Sequence, residues 1–126
     1  MKRIILSSVV LAAFTAVLVA HPPTDIVMTP DVKAMTVKVE IVHQVKDPAE
    51  HYIYEIELKV NGKKAIRQDA KAQTSDKSQS VVYVIPGLKA GDKVEVYADC
   101  NKTGDLKKEF TVQDAPAPVK DKKAKK

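Results

Sequence analysis

The sequence has 126 residues and one cysteine, which leaves room for one domain and excludes an internal disulfide framework, a four-cysteine zinc or iron site and a C-x-x-C redox pair. Its formal charge of +5 sits at the ends: Lys2 and Arg3 open the chain, Lys120, Lys122, Lys123, Lys125 and Lys126 close it, and 14 basic face 15 acidic residues between His21 and Asp114. So neutral a body argues against a nucleic-acid-binding domain, which concentrates Lys and Arg on its folded surface.

Residues 1–20 read as a secretory signal, with Lys2 and Arg3 as the positive end and Ile4 to Val19 as an apolar run broken by Ser7, Ser8 and Thr15. Leu18 and Ala20 suit cleavage before His21, and an uncleaved anchor is the alternative. Both readings place the domain outside the cytoplasm, periplasmic or secreted. At the other end, residues 115–126 are Pro- and Lys-rich with almost nothing to bury, and the composition predicts a disordered basic tail.

Between them, residues 21–114 follow a period of two. Ile26 to Met28 offers a short edge strand. Met35, Val37, Val39 and Ile41 alternate with Thr36, Lys38 and Glu40 in a half-buried strand. Tyr52, Tyr54, Ile56, Leu58 and Val60 alternate with Glu55, Glu57 and Lys59 in another, which places both tyrosines in the core and the glutamates on a solvated face. Asn61-Gly62 then marks a turn. Further strands are predicted at residues 64–68, 80–85, 93–99 and 107–112. No segment of this region sustains a helical period, so the pattern describes an all-β, immunoglobulin-like antiparallel sandwich of about seven strands.

Strand parity also places the chemistry-bearing side chains. His43 extends the inward series Val37, Val39, Ile41 by one step, and Cys100 does the same after Val94, Val96 and Ala98. His51 stands at the start of the following strand. If the strands carrying His43 and His51 pair directly, residues 44–50 join them and both imidazoles lie at one end of the sandwich, where Cys100 can also arrive. Imidazole nitrogen and thiolate sulfur suit iron, copper or zinc. A two-histidine, one-cysteine copper site would need a weak axial group, for which Met28 and Met35 are the candidates. The rival reading is structural: a buried cysteine acting as a small hydrophobe and histidines bonded to nearby backbone. No phosphate-cradling glycine loop, nucleophile elbow or H-E-x-x-H is present in the sequence.

The segment His51-Tyr52-Ile53-Tyr54-Glu55-Ile56-Glu57-Leu58, followed by Val60-Asn61-Gly62-Lys63, resembles the H-Y-I-x-x-I-E-L and N-G-K segment of the superoxide reductase family, the iron domain of desulfoferrodoxin and neelaredoxin. Cys100-Asn101-x-x-Gly104 resembles that family's C-N-x-H-G motif, His43 falls near the histidine preceding H-Y-I, and His21-Pro22-Pro23 is weakly similar to an earlier H-V-P segment. The resemblance implies an exported protein that reduces superoxide to hydrogen peroxide at a mononuclear non-haem iron, with an unidentified electron donor. Its implied metal ligands are His43, His51 and Cys100, with His21 in addition. Thr103 stands where the motif has a histidine, and the family's flanking glutamate and lysine have no counterpart beside His21, so the implied ligand set is incomplete.

Residues 87–96, with Asp99-Cys100-Asn101-Lys102-Thr103-Gly104-Asp105, also resemble the closing hairpin of the sulfur-oxidation carrier subunit Z. That resemblance implies a metal-free periplasmic sandwich that acts by binding a protein partner or a second copy of itself, with residues 101–105 as a plain turn.

Overall fold

A computed structural model describes residues 20–113. The signal expected at residues 1–20, save Ala20, and the basic tail expected at residues 115–126 lie outside the described residues.

Seven strands form in chain order: β1 (Asp25–Asp31), β2 (Thr36–Val42), β3 (Ile53–Val60), β4 (Lys63–Asp69), β5 (Ser78–Val84), β6 (Lys93–Cys100) and β7 (Asp105–Thr111). They assemble into a three-stranded sheet of order β1-β2-β5 and a four-stranded sheet of order β4-β3-β6-β7, with every neighbouring pair antiparallel. There is no helix among the described residues. The all-β sandwich expected from the alternation is the observed fold.

The period of two makes the core. Ile26, Val37, Val39 and Ile41 from one sheet meet Ile56, Leu58, Val94, Val96 and Ala98 from the other, all fully buried. Leu88, Ile85 and Val112 close one end of this layer. The other end is finished by His43 and Cys100, the next inward positions of β2 and β6. Asn61 and Gly62 both adopt positive φ, 49° and 80°, and connect β3 to β4 in a two-residue turn. Positive φ at both central positions is what the hairpin turn matching strand twist demands, and Asn-Gly tolerates it best.

Two expectations are corrected. β2 and β3 do not pair, because they belong to different sheets. The connection from His43 to Tyr52 crosses between layers, and it still leaves both histidines at one end. Tyr52 and Tyr54 are also not core residues: both are only half-buried, and Ile53 takes the fully buried place. The cause is a register shift against β6 between Ile53 and Glu55, a bulge that reverses the facing of β3 upstream of it. Tyr54 instead donates its hydroxyl to Asp99 at 2.8 Å.

Candidate metal centre

Three separate chain segments bring side chains to the polar end of the sandwich. His43 leaves β2 with its N–H bonded to the Lys77 carbonyl at 3.0 Å, which prolongs the strand course and keeps the ring fully buried. His51 closes a turn in which its N–H, 2.9 Å from the Asp47 carbonyl, presents the imidazole back toward β6. Cys100 ends β6, and its N–H bonds the Gly104 carbonyl at 3.0 Å across the β6–β7 turn.

Nε2 of His51 is 3.1 Å from Sγ of Cys100, and the Lys102 N–H points at the same sulfur from 3.4 Å. The ring centroids of His43 and His51 are 4.7 Å apart, with their planes nearly perpendicular at 87°. His43, His51 and Cys100 each offer one ligand atom, and these atoms all lie within 4.8 Å of one another. Nitrogen and sulfur ligands about 2.05 and 2.3 Å from one ion are separated by roughly 3.1 Å when they subtend a right angle, and roughly 3.6 Å in a tetrahedron. The His51–Cys100 spacing fits the former. The donor set suits iron, copper or zinc and disfavours magnesium and calcium, which prefer carboxylate and carbonyl oxygen. These three side chains can hold a metal ion.

His21 packs against the same group, its ring centroid 5.0 Å from that of His43 and 5.6 Å from that of His51. Its nitrogens are directed to carbonyls, Nε2 lying 2.7 Å from Gln44 O and Nδ1 3.0 Å from Pro22 O. Thr103 is exposed and donates its hydroxyl to the Lys102 carbonyl at 2.8 Å. The methionines considered for a copper site are elsewhere. Met28 pairs with Val39, four residues back along β2 from His43, and Met35 sits half-exposed in the β1–β2 turn at the opposite end.

Burial lowers the His51 pKa from its ordinary value, and the neighbouring His43, His21 and Lys102 push the same way. The imidazole therefore stays neutral, the form that binds metal, to lower pH than a free histidine would.

Two residues without a role in the sequence reading hold the centre together. Asn101 accepts the Tyr52 N–H on its side-chain oxygen at 2.9 Å, donates its amide to Glu50 O at 3.0 Å and bonds Tyr52 O through its own N–H at 3.0 Å. It staples the His51 turn to the Cys100 turn. Its position directly after the cysteine was the available signal. Gln73, 30 residues from His43, places its side-chain oxygen 2.8 Å from Nδ1 of that ring, and nothing in its local sequence marks it. No protein-family model, curated protein or solved structure matches the chain.

Proposed function

We propose that this chain is an exported, superoxide-reductase-like iron protein with an incomplete ligand set, in which His43, His51 and Cys100 hold the metal. The single observation that carries this reading is the convergence of two imidazoles and one sulfur, with ligand atoms within 4.8 Å of one another. The H-Y-I and C-N-x-x-G segments that carry the family resemblance supply His51 and Cys100, and the apolar leader supports export.

A bound ferrous iron would supply the one electron that, with two protons, converts superoxide to hydrogen peroxide, and a one-electron donor protein would restore it. Cys100, bound as thiolate, would raise electron density at such an ion and favour its passing an electron to an oxygen species. The Lys102 N–H, 3.4 Å from Sγ, would steady the charge of a metal-bound sulfur. His51, its pKa lowered by burial and by the neighbouring His43, His21 and Lys102, would meet proton competition for the ion only at lower pH than a free histidine. The sequence has three histidines, and Thr103 stands where the family motif has one, so the implied ligand set is incomplete. The missing ligand leaves more of the ion open than in the full family site and predicts altered activity.

Metal analysis of protein purified without chelator tests the reading. Stoichiometric iron and a visible absorption on oxidation, lost in Cys100→Ala, together with superoxide consumption, are expected. Absence of metal, with unchanged stability in Cys100→Ala, would instead favour the metal-free sandwich that binds a protein partner.

A further inference from the structure

We infer that Gln73 is the positioning residue of the centre: it fixes which nitrogen of His43 carries the proton and so assigns Nε2 as the metal-binding atom. This deepens the metal-centre reading above: the assignment of Nε2 as the metal-binding atom rests on that reading, and the tautomer does not.

The hydrogen bonds around Gln73 fix the orientation of its amide. The Gln73 side-chain nitrogen lies 2.7 Å from the His43 carbonyl and 3.0 Å from the Ser75 carbonyl. Both oxygens can only accept, so the amide NH2 must point at them and both its protons are used. The amide oxygen therefore faces the other way, 2.8 Å from Nδ1 of His43. It too can only accept, which requires the proton on Nδ1. A neutral imidazole has one such proton, and Nε2 is left with its lone pair free.

The direction of that lone pair is the second observation. Nε2 lies 3.1 Å from the His21 carbonyl oxygen, another acceptor. Of the two acceptors on the ring, Gln73 Oε1 at 2.8 Å is nearer than His21 O at 3.1 Å, so a neutral ring donates to Gln73 and Nε2 faces an acceptor with no proton between them, a gap that a metal ion fills. Histidines that bind metals usually donate their other ring N–H to a fixed acceptor, which sets tautomer, orientation and ligand basicity.

Gln73 is itself rigidly held. Its N–H bonds Pro48 O at 2.9 Å. The buried Gln79 side chain accepts the Thr74 N–H at 2.8 Å and donates to Ala72 O at 3.2 Å, gripping the loop on both sides. Gln73 also clamps His43 twice, at the ring and at the main chain. An exposed surface glutamine serving solubility would need none of these partners.

The test begins with NMR of isotope-labelled imidazole nitrogens in the metal-free full chain, at a pH where the rings are neutral. Protonated Nδ1 and bare Nε2 at His43 are expected, and the opposite tautomer in the wild-type protein overturns the inference without any variant. Gln73→Met, which removes the acceptor, is expected to shift His43 toward the Nε2-protonated form and to weaken cobalt(II) binding about tenfold to a hundredfold. Gln73→Glu, which retains an acceptor at Nδ1 while giving up both amide donors, is expected to keep the proton on Nδ1 and to bind cobalt more tightly than Gln73→Met. Should Gln73→Met leave tautomer and affinity unchanged, the inference is wrong. A wild-type tautomer that Gln73→Met disrupts, in a protein that takes up no cobalt, would uphold the role of Gln73 and contradict the metal-centre reading alone.

Discussion

The Nε2 atom of His51 lies 3.1 Å from the sulfur of Cys100, across 49 positions of sequence. Two turns have to be locked together for this contact to exist, and Asn101 locks them with three hydrogen bonds to residues 50 and 52.

Gly104 has φ +85°, and a methyl group there would sit 2.6 Å from Cβ of Pro22. Gly104→Ala therefore strains the backbone and displaces the segment carrying His21. A loss of about 1–3 kcal/mol is expected for the left-handed conformation alone. Urea denaturation measures it, and an unchanged midpoint contradicts the close approach.

His51 should make both stability and metal affinity dependent on pH. Burial first, then the charges of His43, His21 and Lys102, lower its pKa from 6.5. The unfolded chain thus takes up the proton more readily than the folded one. This stabilisation is fully present above about pH 6.5 and is lost as pH falls through the lower folded value. Metal affinity should fall over the same range because the proton competes for the ligand. Titration with iron or cobalt across that window checks it, with His51→Ala losing the dependence.

Asp92 should control acid stability at the opposite end. The Lys89 ammonium at 2.8 Å, the Asn61 amide at 3.0 Å and the Lys89 N–H at 3.0 Å hold its carboxyl down at about 2. Its folded value lies below the ordinary 3.8, so the contribution is present above that value and lost as pH falls toward 2. Asp92→Asn should be less stable at neutral pH and show a flatter decline on acidification, read from thermal midpoints over that range.

The fold was largely legible in the sequence, and the exceptions have physical causes. Alternation in residues 35–41 and 93–99 carried the inward series one step further, to His43 just beyond β2 and to Cys100 at the end of β6, because parity persists while the chain stays extended. In Tyr52-Ile53-Tyr54 both parities are apolar, so the pattern could not reveal the bulge that turns Ile53 inward. Gln73 escaped notice because its partner is brought by the β4–β5 loop folding over β2, a contact with no local signature.

The bulge has its own test. Ile53→Ala should cost about 2–5 kcal/mol, as expected for emptying a fully buried site. Tyr54→Phe, which only loses the hydroxyl bond to Asp99, should cost less. The reverse order in chemical denaturation would restore the uninterrupted alternation.

The most direct test of the shared centre is X-ray absorption fine structure at the metal edge of the iron-loaded protein. One sulfur scatterer at about 2.3 Å and two imidazole nitrogens at about 2.0–2.2 Å are expected, taking zinc–ligand distances as the guide, with the sulfur lost in Cys100→Ser. A metal shell of nitrogen and oxygen alone in the wild-type protein would contradict the account.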